Sequence, residues 1–477
     1  MHWVYLHWVY FYSAGGWLIC AAMLPVVLRR QFAPGAAWAW LGIVFLHPYI
    51  GLGLYMLVGE NQLSPGRAED YRKVIAQFRV RSTKEEAAGA TGIPEVYRPM
   101  ALQAEKMSGL PVLSGNSAEF LTESAQMIQR LCADIDAARQ RVHLLYYIYS
   151  GDGTGARVTD AVIRAAARGV ECRVMIDAVA SRPFFRVHGP AKPLVAAGVK
   201  IGIALPVTSF RRGISRMDMR NHRKLALIDD AVAFVGSHNL IDPSYGGRRG
   251  NPWIDLSARL TGPVVADLSG VFREDWAFET GEILTALPAA AHSDGGIPMQ
   301  IVPTGPIAPG ETYRRLLLAA IQSARRQLIL TTPYFVPDDP TMVDLLMAAD
   351  RGVQVKLILP LVSDNRLTAA AARAQFGRLT EAGVEIYQYR PGLLHAKTTT
   401  VDDAFSLFGS ANLDVRSFNL NFELSVLMYG AEVTEQIRTI QTGYMTDSNR
   451  IDPSEWKDRS AARRYADGAV SLVSPLL

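Results

Sequence analysis

The chain has 477 residues, of which 49% are hydrophobic and 20% charged, and its formal net charge is +4. A chain this long and this apolar has room for two or three domains and a sizeable core, which excludes disordered, collagen-like and coiled-coil proteins. Its three cysteines are too few for a disulfide framework and form no Cys-x-x-Cys zinc motif, and the mild charge argues against a protein that mainly coats nucleic acid.

The N-terminal region contains two long stretches without a charged residue, Trp8–Leu28 and Ala36–Val58, which are 21 and 23 residues long. Each matches the ~20 residues that a helix needs to cross a bilayer. We therefore predict a transmembrane helical hairpin over 1–60, with a kink at His47-Pro48 in the second span. A cleaved signal peptide is disfavoured because no basic segment precedes the first stretch. A buried core hairpin is the other alternative.

A basic segment, 61–110, follows the second span and is predicted to be a juxtamembrane linker. Its basic residues are Arg67, Arg72, Lys73, Arg79, Arg81, Lys84, Arg98 and Lys106. Such a segment either lies on anionic headgroups or is a solvated linker. Arg29 and Arg30 flank the other end of the same span, so the distribution of positive charge does not decide the orientation in the membrane.

The rest of the chain repeats one order of predicted elements, strand, helix and strand. The first copy has these elements at Val142–Tyr149, Ala156–Arg168 and Val170–Ile176, and the second at Gln327–Tyr334, Met342–Arg351 and Val353–Leu359. Strands that alternate with helices predict βαβ units with mostly parallel pairing. We expect an α/β fold of two α/β/α repeats, 111–290 and 291–477, related by a pseudo-two-fold axis. The second repeat ends in a C-terminal tail.

Each copy ends in the same pattern of polar residues. From each histidine, Lys follows at +2, Asp at +7, Gly-Ser at +14 and +15, and Asn at +17. The first set is His222, Lys224, Asp229, Gly236, Ser237 and Asn239, and the second is His395, Lys397, Asp402, Gly409, Ser410 and Asn412. An acid follows within an apolar strand pattern in each copy, Asp255 and then Glu423. Two copies with matching spacing are far beyond chance for a short motif.

These residue types suit a phosphodiester. His and Lys at i and i+2 on a strand face the same side, whereas Asp at i+7 lies beyond the strand end, in a supporting position near the turn. Two such strands would bring two imidazoles, two ammonium groups and two Asn amides to one centre. Lys and Asn can hold the non-bridging oxygens, while one imidazole attacks phosphorus and the other transfers protons. Asp255 and Glu423 are candidates to orient the imidazole rings.

The paired His-x-Lys-x4-Asp motifs resemble the phospholipase D superfamily. The predicted hairpin and the Asn412–Glu423 segment resemble its bacterial cardiolipin synthase family, and the similarity extends over nearly the whole chain. The resemblance implies two phospholipase D-like repeats and a reaction in which two phosphatidylglycerols give cardiolipin and glycerol, without metal or nucleotide. It also implies a location in the bacterial inner membrane, with His222 as nucleophile and His395 as acid and base.

Further residues are predicted to bind substrate. Besides Asn239, Asn412, Ser237 and Ser410, the first copy has a longer stretch before its motif, which includes Arg211 and Arg212. These arginines are predicted to gather anionic headgroups; an exposed solvated loop is the alternative. Tyr146, Tyr147 and Tyr334 are expected either to line the pocket or to be ordinary sheet aromatics.

The same motifs are compatible with alternative functions. A phospholipase D-type hydrolase would give phosphatidic acid in place of cardiolipin. A nuclease of the same superfamily is disfavoured by the hairpin and the moderate charge, so we expect an anionic lipid bilayer and phosphatidylglycerol, not nucleic acid, as partners. A lipid-binding scaffold is a poor fit because both motifs are intact. The sequence specifies no oligomeric state.

Overall fold

A computed structural model describes residues 2–30, 34–59, 63–79, 92–206, 218–245, 251–287, 295–307, 311–457 and 459–471. The helices are α1 (His2–Arg29), α2 (Pro34–Leu46), α3 (Pro48–Val58), α4 (Pro65–Arg79), α5 (Arg98–Ser108), α6 (Ser124–Ala137), α7 (Gly153–Ala167), α8 (Ala191–Ala196), α9 (Val264–Thr280), α10 (Thr312–Ser323), α11 (Asp339–Asp350), α12 (Arg366–Glu381), α13 (Val415–Asn419), α14 (Ala431–Thr446), α15 (Pro453–Lys457) and α16 (Ala461–Ser471). Short 3₁₀ helices cover Glu95–Tyr97 and Arg182–Phe185.

The strands are β1 (Leu113–Leu121), β2 (Arg141–Tyr146), β3 (Glu171–Asp177), β4 (Lys200–Ala204), β5 (Lys224–Ile228), β6 (Val232–Gly236), β7 (Trp253–Ile254), β8 (Ser257–Thr261), β9 (Ile297–Thr304), β10 (Gln327–Thr331), β11 (Phe335–Val336), β12 (Gln354–Pro360), β13 (Glu385–Tyr389), β14 (Leu393–Leu394), β15 (Thr398–Val401), β16 (Phe405–Gly409), β17 (Leu413–Asp414), β18 (Glu423–Tyr429) and β19 (Ser448–Arg450). The predicted strands and helices of both copies are confirmed, with ends that differ by a few residues.

The N-terminal helices differ in length. Within the part of the chain that the structure describes, Tyr12–Arg29 of α1 is the one stretch long and apolar enough to cross a membrane. The second apolar stretch is not a single helix, because α2 ends before His47 and α3 starts at Pro48, whose ring nitrogen has no hydrogen to donate.

The helices α2 and α3 fold back on each other at that point. The rings of Trp40 and Tyr55 lie 5.2 Å apart, whereas fifteen residues of straight helix would separate them by about 22 Å. A Cβ on Gly51 would lie only 2.6 Å from the Cα of Val44, so glycine permits this close approach. The predicted kink is therefore a sharp reversal.

Fifteen of the described strands form one mixed sheet, in the order β19-β13-β12-β10-β15-β16-β18-β9-β1-β8-β6-β5-β2-β3-β4. The expectation of mostly parallel pairing is wrong for the whole sheet. Parallel pairs are confined to β2-β3-β4 and β10-β12-β13, and the remaining neighbours pair antiparallel. The reason is that β5-β6 and β15-β16 are hairpins, which must return antiparallel.

The sheet has the same strand order on each side of its centre. Outward from the antiparallel β1-β9 pair, one side runs β1-β8-β6-β5-β2-β3-β4 and the other β9-β18-β16-β15-β10-β12-β13. Helices cover both faces. In the half of the sheet from β1 to β4, residues of α6 and α7 are buried against one face. In the half from β9 to β13, residues of α10, α11 and α12 are buried against one face. The helices α9 and α14 lie on the opposite face of the sheet.

The segment predicted as a linker is in part helical and packed. The helix α5 buries Met100 and Ala104 in the same apolar cluster as Leu316 of α10, and α4 buries Tyr71 against Phe422. The C-terminal helix α16 is held by Asp467, which pairs with Arg373 and Arg459. The helices α4 and α5, which precede the sheet, and the C-terminal helix α16 are therefore all held against the α/β fold.

Candidate active site

The two histidine motifs lie against the opposite halves of the chain. The backbone amide of His222 donates to the carbonyl of Phe422 at 2.9 Å, and that of His395 donates to the carbonyl of Ile254 at 2.7 Å. The short strands β7 and β14 pair in parallel directly before the contact between His395 and Ile254 and extend it. Each histidine is therefore placed beside the acid that follows the other motif.

Both imidazole rings are held by these acids. The Nδ1 atom of His222 lies 3.0 Å from both carboxylate oxygens of Glu423, and Nδ1 of His395 lies 2.6 Å from Oδ1 of Asp255. The sequence predicted these two acids as orienting groups, and the structure adds that each one comes from the other half. Because Nδ1 is engaged, Nε2 is the ring atom left for chemistry.

Both histidines line a single cavity of about 580 Å³. The predicted residues Asn239, Asn412, Tyr147 and Tyr334 also line it, whereas Tyr146 is buried in the core. The Asn239 Oδ1 accepts from the amide of Ile148 at 3.1 Å, which leaves its Nδ2 as a donor. The structure therefore gathers imidazoles and amides from the two motifs at one opening.

The two lysines are buried directly beside the histidines. Lys224 Nζ donates to the carbonyl of His222, and Lys397 Nζ to the carbonyl of His395, both at 2.6 Å. Each lysine residue is 2% exposed. Burial, only partly opposed by nearby carboxylates, holds the pKa of Lys224 well below its usual range and lowers that of Lys397 to about 7.

Burial also governs the protonation of the imidazoles. It lowers the pKa of His222 to about 4 and that of His395 to about 3, although Glu423 and Asp255 oppose the shift. For the two acids, the effect of burial is outweighed by the neighbouring His and Lys, so their pKa values fall below the usual range. At neutral pH each ring is therefore neutral, with Nδ1–H donating to an ionised carboxylate and a lone pair on Nε2.

The Gly-Ser pairs position these acids. Ser237 Oγ donates to Asp255 at 2.6 Å, and Ser410 Oγ donates to Glu423 at 2.5 Å. A Cβ on Gly236 would lie 2.3 Å from the carbonyl oxygen of Leu256, so only glycine lets the chains approach this closely. Both serines were predicted to bind substrate. The structure instead places them behind the acids, and neither lines the cavity.

The motif aspartates lie away from the cavity. Asp229 accepts from the amides of Arg139, Gln140 and Arg141, and Asp402 from those of Arg325, Arg326 and Gln327. Both stand at left-handed positions of hairpin turns, with φ of 54° and 45°. Seven residues of strand separate each one from its histidine by about 23 Å, so each aspartate has the supporting position near the turn that the sequence predicts and not a place in the cavity. Arg211 and Arg212 lie outside the described residues.

Further residues line the cavity that the sequence patterns did not indicate. They include Trp253, Tyr245, Asp364, Asn365, Thr368, Asp414, Arg416 and Asn421. The Trp253 ring lies 4.4 Å from that of His395, and Tyr147 packs edge-on to His222 at 4.8 Å. Trp253 and Asn421 could have been found, because each stands two residues before an orienting acid and so shares its strand face. Asp364 lies in a loop that carries no such signal.

A family model described as "Cardiolipin synthase, PLD-like domain" matches residues 131–276 and 317–442. "Cardiolipin synthase A" of Pectobacterium carotovorum subsp. carotovorum (strain PC1) is 36% identical over 473 residues, and that of Serratia proteamaculans (strain 568) is 35% identical; each alignment covers 97% of both chains. The fold is similar to phosphatidylserine synthase from Haemophilus influenzae Rd KW20, with a TM-score of 0.62, 14% identity and coverage of 80% of this chain and 100% of that one.

Proposed function

The chain belongs to the cardiolipin synthase family of phospholipase D-like enzymes, and we propose that it condenses two phosphatidylglycerol molecules to cardiolipin and glycerol through a phosphohistidine. The observation that carries this proposal is the pair of His–carboxylate contacts, one from each half, that face a single cavity. Two imidazoles at one opening can divide nucleophilic attack and proton transfer between them.

In the first step, Nε2 of His222 attacks the phosphorus of one phosphatidylglycerol. A P–N bond forms while the bond from phosphorus to the headgroup glycerol oxygen breaks, and protonated His395 gives that oxygen its proton. The two cavity asparagines donate to the non-bridging oxygens, and Lys224 and Lys397, buried behind the histidines, stabilise the developing charge through their own positive charge when protonated. Glycerol leaves, and the phosphatidyl group remains on His222.

In the second step, a headgroup hydroxyl of another phosphatidylglycerol attacks the same phosphorus. His395 takes the hydroxyl proton, a P–O bond forms and the P–N bond to His222 breaks, which gives cardiolipin and regenerates both imidazoles. His395 therefore ends each cycle protonated, ready to act as the acid in the next one.

The acid form of His395 requires the substrate. Burial favours the neutral ring in the free protein. An anionic phosphodiester in the cavity adds a negative charge beside both imidazoles, which raises their pKa values and favours one proton on the pair. Because the two rings share one site, protonation of His395 disfavours protonation of His222, which stays nucleophilic.

We further propose that the two halves are repeats related by a pseudo-two-fold axis, with boundaries near 111–290 and 291–477. The matching strand orders and the two segments matched by one family model support this proposal. The protein is proposed to be bound to the bacterial inner membrane through α1, whose apolar stretch supports an anchor. An anchored site meets lipid acceptors at high local concentration, which favours transfer over hydrolysis.

The test is the identity of the lipid product. Purified full-length protein is incubated with labelled phosphatidylglycerol in mixed micelles with a chelator, and the lipids are separated. We expect cardiolipin and an equimolar amount of glycerol. Phosphatidic acid as the main product would contradict the transferase and identify a hydrolase. The His222→Ala variant serves as the inactive control.

A further inference from the structure

A buried hydrogen-bond network joins α4, the helix after the membrane segment, to both sequence neighbours of His222. Tyr71 of α4 donates to Oδ1 of Asp275 on α9 at 3.2 Å. Asp275 also accepts from Arg223 Nη1 at 2.6 Å and from Asn221 Nδ2 at 3.0 Å. All four side chains are buried, so these bonds are shielded from water.

Arg223 extends this network to the other half of the chain. Its Nε donates to the backbone carbonyl of Glu423 at 3.1 Å, and its Nη2 donates to that of Thr304 at 3.1 Å. A planar guanidinium can make these bonds and the ion pair with Asp275 simultaneously. Arg223 therefore contacts the backbone of the same residue whose carboxylate holds the His222 ring.

Other buried contacts fix α4 at this position. Arg67 pairs with Glu279 at 2.7 Å, and both side chains are 3% exposed. The Tyr71 ring lies 4.8 Å from that of Phe278 and 5.5 Å from that of Phe422. The helix is thus packed against α9 and against the residue that precedes Glu423. A flexible tether between membrane and enzyme would need none of these contacts.

Among the residues that the structure describes, the network reaches the neighbours of His222 but not those of His395. In the second motif, Ala396 occupies the position that Arg223 has in the first. Its methyl group cannot make the three polar contacts that the guanidinium makes. The His395–Asp255 pair therefore lacks the corresponding tie to α4, and the two otherwise similar motifs differ at this point.

We propose that α4 positions the His222–Glu423 pair through Tyr71, Asp275 and Arg223, so that the membrane-proximal helix sets the rate at which His222 attacks phosphorus. The proposal rests on the function proposed above. Tyr71 and Asp275 do not line the cavity and are positioning residues. Loss of the contact leaves substrate binding in place and slows formation of the phosphohistidine.

The experiment uses the full-length Tyr71→Phe variant, which removes one hydroxyl and keeps the ring packing. Rapid-quench turnover of labelled phosphatidylglycerol gives the rate of adduct formation, and steady-state assays give kcat and KM. We expect the adduct rate and kcat to fall about threefold to tenfold, the worth of one buried hydrogen bond, with KM unchanged.

Two variants are matched controls. Tyr97→Phe removes the hydroxyl of another buried tyrosine, which donates to the carbonyl of Val401 at 3.0 Å and is not part of the network. Arg72→Gln removes an exposed α4 side chain that pairs with Glu69. We expect both to keep the wild-type kcat, although Tyr97→Phe lowers the melting temperature as Tyr71→Phe does.

Equal kcat values for Tyr71→Phe and Tyr97→Phe would overturn the proposal. Asp275→Asn provides a second test, with an expected loss of adduct rate larger than that of Tyr71→Phe. If this variant does not fold, Tyr71→Phe decides alone. A wild-type protein that makes no cardiolipin would contradict the proposed function instead, so the two failures are distinguishable.

Discussion

Glu423 and Asp255 make the two imidazoles different from surface histidines. Each carboxylate accepts the Nδ1 proton of a buried ring, and each is itself fixed by a serine hydroxyl. This arrangement selects the tautomer with the lone pair on Nε2 and stabilises the ring when it acquires positive charge. We therefore expect the acids to contribute to the rate of the proposed reaction without touching phosphorus.

Replacement of one acid tests this role. Glu423→Gln keeps the shape but cannot accept and stabilise the charge on His222 in the same way, so we expect kcat to fall on the order of 10²- to 10⁴-fold. Steady-state turnover of phosphatidylglycerol measures it. Glu171→Gln is the control, because Glu171 lies 3.6 Å from buried His143, a pair outside the cavity. Comparable losses in both variants would argue against an orienting role.

Burial of His222 also predicts how stability responds to acid. Its folded-state pKa of about 4 lies below the 6.5 of an ordinary histidine, so the unfolded chain takes up the proton first as pH falls. The stability present above pH 6.5 is therefore lost as pH falls toward 4. When the pH is lowered from 7 to 5, we expect the free energy of unfolding of wild type to fall by about 1–2 kcal/mol more than that of His222→Ala.

Chemical denaturation of the detergent-solubilised protein at the two pH values measures that difference. His188→Ala is the control, because His188 is exposed and lies outside the cavity. It is expected to show the acid sensitivity of wild type. If His222→Ala shows the same sensitivity as well, the buried neutral imidazole is not its source.

The site residues fall into two groups by how well the sequence predicts them. His222, His395 and the asparagines were predicted because their repeated spacing has a chemical meaning that a strand preserves. The serines repeat equally well, yet they support the acids, whereas the motif aspartates support turns, as their place beyond the strand end predicts. Spacing alone cannot separate these roles, because a residue that shapes a turn recurs as regularly as one that meets substrate.

At the scale of elements, the local periodicity of the sequence predicted the positions of helices and strands, which depend on local structure. The strands and helices of the βαβ units were found because β2, α7 and β3, and their counterparts β10, α11 and β12, carry clear patterns. The antiparallel centre was missed because pairing direction depends on the hairpins at Asp229 and Asp402 and on the β1-β9 contact. The reversal at His47 was predicted only as a kink, since its sharpness depends on the packing of α2 against α3.

That reversal predicts a membrane topology. At 1.5 Å per residue, α2 and α3 are about 20 Å and about 17 Å long, short of the ~30 Å hydrocarbon core, whereas α1 is long enough to cross it. We expect one crossing, with the N-terminus and the catalytic region on opposite sides. Peptide tags at the two ends, probed with protease in sealed vesicles, measure this.

One tag should be cleaved and the other protected, and both should be cleaved once the vesicles are permeabilised. Cleavage of both tags, or of neither, in sealed vesicles would place the ends on the same side. That result would instead favour two crossings, the topology that the lengths of the two uncharged stretches predict.

At the scale of the whole molecule, neither half contains a complete centre. Each contributes one histidine and the acid that orients the other half's histidine, so the two halves must pack together before either pair exists. The halves are also unequal, because Arg223 ties His222 to α9 and α4 while Ala396 stands at the matching position. This inequality accords with different roles for two similar motifs.

The most direct measurement of a single centre is the location of the covalent adduct. Wild type, His222→Ala and His395→Ala are each quenched after one turnover of labelled phosphatidylglycerol, and the labelled residue is identified by mass spectrometry. If there is one centre with His222 as nucleophile, wild type carries the adduct on His222 and His222→Ala carries none. In His395→Ala the His222 adduct forms more slowly and then accumulates. Adducts on both histidines, each formed at the wild-type rate when the other is absent, would mean two independent centres and would contradict the account.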